Sequence, residues 1–179
     1  MIFVTVGAGD FNSLIQAMDE LAPTLIAAGE QVLLQIGHGA FVPQHADHFR
    51  FAPSLEPYFD QADVIVSHGG IGVVTEVLRK GKRLVGVSNH DRYDDHQDDL
   101  LAAMSARGHL VWCQDLARLP EAIAQARTAS FNPYHEEPGQ LVEIIMDFIL
   151  HGHKFRHIAA TGWLCYNCLW RHDEQLWKP

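Results

Sequence analysis

The stretch Ser67-His68-Gly69-Gly70-Ile71-Gly72-Val73-Val74-Thr75-Glu76 follows the apolar run Asp63-Val64-Ile65-Val66 and opens a helical pattern that Gly81 closes. Glycines therefore stand where a strand hands over to a helix. The first turn of a helix carries backbone N–H groups without intrahelical partners, the aligned peptide dipoles add partial positive charge, and glycine lets an anion approach the chain. A nucleotide diphosphate fits such a place. Glu76 stands one helical turn beyond Gly72, on the same face, where its carboxylate can accept from two vicinal hydroxyls such as those of a ribose.

Outward from this stretch, β-branched apolar runs alternate with helical patterns, the sequence form of a parallel sheet built from βαβ units. Strands are expected near Ile2-Val6, Gln31-Ile36, Asp63-Val66, Arg83-Val87 and His109-Cys113, with a sixth at Phe49-Ala52. Helices are expected from Asn12 to Ala28, with Asn12 or Ser13 as cap and Gly29 closing it, from Asp94 to Arg107 before Gly108, and from Leu116 to Ala129 after Asp115. The fold class is α/β, a doubly wound parallel sheet. Phe131 to Pro138 reads as a loop, Leu141 to Leu150 as an unusually apolar helix, and the tail beyond Gly152 carries Trp163, Trp170 and Trp177.

The 179 residues allow one full domain and a short appendage, here residues 1–150 and 151–179. At 47% hydrophobic and 20% charged residues the chain is ordinary globular material, and it has no apolar run of the roughly 18 to 20 residues that crosses a bilayer. Met1-Ile2-Phe3-Val4-Thr5-Val6-Gly7 lacks the flanks of a signal peptide, and three cysteines make no disulfide framework, so a cytoplasmic location is expected. A net charge of -9 argues against nucleic acid as a partner. An acidic chain that binds a diphosphate must do so through local backbone dipoles.

A glycine cluster alone is weak evidence, since any tight turn can need one. The next βα junction strengthens it. Ser88-Asn89-His90-Asp91-Arg92-Tyr93-Asp94-Asp95-His96-Gln97 is dense in hydrogen-bonding groups, and ligands of open α/β sheets bind beyond the carboxyl ends of strands. The opening Met1 to Gly7, the central Ser67 to Gly72 with Glu76, and Asp95-His96-Gln97 together resemble the C-terminal, donor-binding half of family 28 glycosyltransferases, and within them the short stand-alone proteins of the Alg13 and PssE type.

That resemblance spans about Met1 to Leu150 and implies a Rossmann-like GT-B half-fold that binds a UDP-sugar. Gly69, Gly70 and Gly72 would hold the diphosphate, with His68 donating to a phosphate and Glu76 holding the ribose. Gln97, with His96, would contact hydroxyls of the transferred sugar. It further implies a hexosyltransferase active only with an Alg14-like or PssD-like membrane-associated subunit, which presents a lipid-linked sugar acceptor and carries the general base. Where related proteins often carry Thr after the first Gly, this chain has Gly7-Ala8-Gly9-Asp10. Asp10 is a base candidate ranked behind a plain turn or capping role.

No Asp-x-Asp metal motif is evident, so metal-independent inverting transfer without a cofactor is expected. His153, His157, Cys165 and Cys168, with His172, form a rival, zinc-suited set whose spacing is not that of a standard finger. Cys113 reads as a small buried hydrophobe. Two other functions stay open: a nucleotide-sugar-binding or regulatory module that transfers nothing, and a UDP-sugar epimerase, which needs both halves of the GT-B fold in one chain. The donor sugar is not legible; a glucuronate would favour a cation near the sugar pocket, for which Arg92 is a candidate that does not decide the matter.

Overall fold

The computed structural model describes residues 1–89, 91 and 96–135, with His96 placed through its backbone only. Residues Met1–His135 form one compact unit. In chain order it runs β1 (Ile2–Thr5), α1 (Asn12–Ala27), β2 (Val32–Gln35), β3 (Asp47–Phe49), α2 (Glu56–Gln61), β4 (Val64–His68), α3 (Ile71–Arg79), β5 (Arg83–Val87), α4 (His96–Ala106), β6 (Val111–Cys113), a 3-10 turn (Leu116–Arg118) and α5 (Leu119–Thr128). The sheet has six strands in the order β3-β2-β1-β4-β5-β6, every pair parallel. Phe3 of β1 lies level with Leu33 of β2 and Ile65 of β4.

Two apolar layers sandwich the sheet, and the period-two alternation of the strands assigns residues to each. Ile2, Val4, Val64, Val66, Val85 and Val87 face α1 and α5, where Leu14, Met18, Leu119 and Ile123 meet them. Phe3, Ile65 and Leu84 face the opposite layer, made by Phe59 of α2, Val74 and Val77 of α3 and Leu101 of α4. Phe3 stacks on Tyr58 at 5.3 Å and meets Phe59 edge-on at 5.9 Å. Burial on both faces explains why the central strands read as continuous apolar runs rather than alternating ones.

Among the described residues the expected elements are found, with four differences. Helix α1 is entered from Phe11, which makes no side-chain cap; Asn12 is already helical, and its amide oxygen accepts from the Phe41 N–H at 2.9 Å instead. The third strand lies at Asp47–Phe49, not Phe49–Ala52, because pairing to Leu33–Gln35 sets its register. The stretch after Asp115 begins as a 3-10 turn capped by that carboxylate, which accepts from Ala117 N–H at 2.9 Å, before the α-helix starts at Leu119 with Pro120 in its first turn. Helix α2 is additional: six residues are too short to show an amphipathic period, and Pro57 in its first turn fits a helix start as well as a loop. Gly81 closes α3 in the left-handed region, φ +63°.

The loop expectation for Phe131 to Pro138 holds as far as His135. Asp94 and Asp95, Arg92, the helix Leu141 to Leu150, and the tail with its tryptophans and with His153, His157, Cys165, Cys168 and His172 lie outside the described residues.

Candidate functional site

The chain leaves β1 toward one edge of the sheet and, after β3, returns to place β4 on the other side of β1. The strand order reverses between β1 and β4, and the loops leaving their carboxyl ends diverge to open a crevice at that point. His68 ends β4 there. Its ring lies over Gly70, where an added Cβ would sit 2.6 Å from Nε2, and reaches across to Gly7 of the β1 loop, where a Cβ would sit 3.4 Å from Cε1. Nδ1 lies 3.5 Å from the Ser67 hydroxyl. A half-buried imidazole therefore spans the two loops of the switch point.

Helix α3 starts from Gly70 in extended conformation, with no side-chain cap and no acidic residue in its first turn. Its opening N–H groups and the positive end of its dipole are left for something outside the helix. The glycines divide by role. A Cβ on Gly69 would lie 2.6 Å from the Gln97 carbonyl oxygen and 2.8 Å from its Cβ, so the fold itself requires glycine there. A Cβ on Gly72 would meet nothing within 4 Å, and its φ is not positive. Folding gains nothing from glycine at 72 and gives up about 1 kcal/mol of helix propensity relative to alanine. What that position keeps is open access to the bare N-terminus. Glu76 and Ile71, the latter 68% exposed, share the solvent face of α3 with Gly72.

Gln97, in the first turn of α4, closes the other side of the crevice through its packing on Gly69. Its amide Oε1 is buried and meets no donor among the described residues. An unsatisfied buried acceptor costs about 1–3 kcal/mol, and a hydroxyl or N–H from a ligand would relieve it.

The β1–α1 junction faces the same crevice but is occupied. The Asp91 carboxylate, from the loop after β5, accepts from the Ser13 N–H at 3.1 Å and from the Ser13 hydroxyl, so the N-terminus of α1 already holds an anion. Beneath it Thr5 donates to Gln35 Oε1 at 2.5 Å, and Gln35 Nε2 donates to the carbonyls of Gly7 at 2.9 Å and Arg50 at 2.6 Å. Arg50 in turn donates to the carbonyls of Gly37 and Gly39. This polar chain, buried at Thr5 and Gln35 and reaching the surface at Arg50, fixes the loops after β1, β2 and β3. Its one legible sign was Gln35, a polar residue ending an apolar strand. Phe51, half exposed, stands against the His38 ring at 4.8 Å with the planes tilted by 59°, on the same edge of the sheet, a contact that no local pattern marked.

The structure thus gathers His68, Gly69, Gly70, Gly72 and Gln97 around one crevice, with Glu76 on the exposed face of the helix that opens it. His96 starts α4 beside Gln97. Asp10 lies in the β1 loop, where its backbone carbonyl accepts from Asn89 Nδ2 at 3.5 Å. Cys113 is buried; burial pushes its thiol pKa up, and its Sγ donates to the Asp115 carbonyl at 3.1 Å. Among the described residues no His, Cys, Asp or Glu group is placed to hold a metal, and no helix is long and apolar enough to cross a membrane.

The family model of the glycosyltransferase family 28 C-terminal domain matches residues 1–148. The chain belongs to that family. It is similar to the UDP-N-acetylglucosamine transferase subunit ALG13 of Homo sapiens, 36% identical over 142 residues, which are 74% of this chain and 12% of the human protein. Among solved structures it is similar to the glycotransferase of kitacinnamycin, with TM-score 0.57 and 21% identity over 72% of this chain and 34% of the other. It is likewise similar to the solution structure of ALG13, with TM-score 0.55 and 19% identity over 80% of this chain and 93% of the other. These two structures share the fold: a Rossmann-like parallel sheet of the GT-B kind.

Proposed function

We propose that this chain is the donor-binding subunit of an inverting glycosyltransferase that moves a sugar from a UDP-sugar to a lipid-linked saccharide acceptor. The observation that carries the reading is the start of α3, at the switch point of the sheet, uncapped among the described residues, with an open Gly72 in its first turn and, across the crevice, the Gln97 amide oxygen, which meets no donor among the described residues. The diphosphate lies on the α3 N–H groups, with the His68 imidazole beside it. Glu76 accepts from the ribose hydroxyls, and Phe51 with His38 offers a face to the base. Gln97, and His96 next to it, reads the sugar hydroxyls; Gln97 Oε1 acquires its missing donor there. Membership of the family and similarity to the human UDP-N-acetylglucosamine transferase subunit make UDP-N-acetylglucosamine the first donor to test.

As the bond from the anomeric carbon to the diphosphate lengthens, positive charge grows on the sugar ring and negative charge on the leaving group. Fixed backbone dipoles at the start of α3 stabilise that negative charge without reorganising, which supports transfer without a metal. The acceptor hydroxyl must lose a proton as it attacks. We assign the acceptor site and its base to a partner of the Alg14 or PssD type, which brings this cytoplasmic chain to the membrane face; Asp10 is the candidate base on this chain. Residues 1–150 are taken as the donor-binding domain and 151–179 as an appendage facing partner or membrane.

Calorimetric titration with UDP and with UDP-N-acetylglucosamine, -glucose, -galactose and -glucuronate tests donor binding, with Glu76→Ala as control. Tighter binding of one UDP-sugar than of UDP, weakened in the control, is expected; no binding of UDP or any UDP-sugar contradicts the reading. Transfer assayed with the partner separates an enzyme subunit from a module that only binds the nucleotide-sugar.

A further inference from the structure

We propose that Leu101 is a positioning residue for the sugar end of the donor: seated on Gly86, it fixes the depth of α4 on the sheet and so holds Gln97 at the crevice. This rests on the donor reading above. Gly86 stands inside the interior strand β5, level with Ser67 of β4 and Trp112 of β6. Glycine weakens a strand interior, and the φ of Gly86 is not positive, so its own backbone does not require it. Leu101 does. A Cβ on Gly86 would lie 2.3 Å from Leu101 Cδ2, 3.3 Å from Cγ and 3.5 Å from Cδ1, so turning one methyl aside leaves the rest of the side chain against it. Leu101 is fully buried, the one such side chain among residues 97–106 of α4; Leu100 and Met104 are partly buried against the same layer.

Helix α4 thus has one deep anchor, and that anchor lies a single turn from the crevice. Gln97 and Leu101 share a face of the helix, about 6 Å apart along its axis. Each rests on a glycine, since a Cβ on Gly69 would lie 2.6 Å from the Gln97 carbonyl oxygen and 2.8 Å from its Cβ. The two contacts bring α4 closer to the carboxyl ends of β4 and β5 than a side chain at 69 or 86 would allow. Close-packed interiors transmit strain, so a lift at Leu101 carries one turn along the helix to Gln97. Depth matters there because Gln97 Oε1 is buried and meets no donor among the described residues. Hydrogen bonds weaken steeply with misalignment, so a ligand hydroxyl satisfies that oxygen over a narrow range of helix positions. In the donor reading the nucleotide half rests on α3, which has its own buried contacts through Val74, Val77 and Leu78. Disturbing the seat of Leu101 therefore impairs sugar recognition and spares UDP.

Gly86→Ala adds a carbon under Leu101, and the double variant Gly86→Ala/Leu101→Val takes one away again, which conserves volume and lets α4 settle back. By calorimetry on the full chain, Gly86→Ala is expected to weaken UDP-N-acetylglucosamine about tenfold and UDP by less than about twofold, and the double variant to recover most of the loss. Ile123→Val, in the opposite apolar layer, should lower the thermal midpoint and leave the ratio of the two affinities unchanged. Equal losses for UDP and UDP-sugar in Gly86→Ala, no loss for either, no recovery in the double variant, or the same change of ratio in Ile123→Val overturn the proposal. An arm without ligand separates its failure from that of the donor reading. The NOE between the Gly69 α-protons and the Gln97 β-protons should weaken in Gly86→Ala and return in the double variant. An NOE unchanged in Gly86→Ala overturns the seat. A weakened and restored NOE in a protein that binds no UDP-sugar supports the seat and contradicts the donor reading.

Discussion

Two βα junctions border the crevice, and they treat the same electrostatic problem in opposite ways. At β1–α1 the positive end of the helix is met by the Asp91 carboxylate through Ser13. At β4–α3 no side chain among the described residues caps the helix, and a glycine that the fold does not require stands in its first turn. On the donor reading proposed above, a helix that brings its own anion is structural, and one that leaves the place open, beside a buried acceptor with no partner among the described residues, takes the ligand. The chain carries -9 overall, so on the proposed reading this local difference, rather than the global field, selects where a diphosphate settles.

The largest expected effect comes from making the second junction like the first. Gly72→Asp puts a carboxylate at the start of α3, where there is room for it. Thermal unfolding should show a fold as stable as the parent, while UDP affinity falls about 100-fold through repulsion and occupation of the site. Retained UDP binding in that variant would break the contrast. Gly69→Ala acts by a different route: its Cβ would meet the Gln97 backbone at 2.6 Å, so overpacking costs about 1–3 kcal/mol in a denaturant titration and weakens UDP-sugar binding with it.

On the closed side, Asp19 of α1 is 3% exposed and accepts from the N–H groups of Gln44, His45 and Ala46, at 2.8 to 3.1 Å, and from the His45 ring. Burial pushes its pKa up, but these donors outweigh it and hold the carboxyl below its ordinary 3.8. A folded pKa below the unfolded one stabilises above the unfolded value, and that stability is lost as pH falls through the folded pKa. Asp19→Asn should therefore destabilise by about 2 kcal/mol at neutral pH and by progressively less below pH 3.8, read from urea midpoints against pH. UDP affinity should not change. Gly72→Ala closes the series with the smallest effect, a gain of up to about 1 kcal/mol in stability with UDP weakened only modestly.

The open junction was legible in the sequence and the closed one was not, for physical reasons. Strands buried on both faces show as uninterrupted apolar runs, which is why Ile2-Val6 and Asp63-Val66 could be placed within a residue or two. Helix ends that need a left-handed residue show as glycine, as at Gly81. The glycine loop declared itself by its place between strand and helix. What stayed hidden depends on residues distant in the chain: the Asp91–Ser13 connection, Asn12 serving Phe41 rather than its own helix, and the Thr5–Gln35–Arg50 chain under the crevice. Likewise, nothing local told Gly69, required by packing, from Gly72, which is not; only the position of Gln97 separates them.

The most direct measurement is an NMR titration of the chain with UDP alone, following backbone amides at both junctions. Large shifts at Gly70, Ile71, Gly72 and Val73, with Asn12, Ser13 and Leu14 nearly still, are the expected result. Shifts concentrated at Asn12 to Leu14, or none at the start of α3, would contradict it.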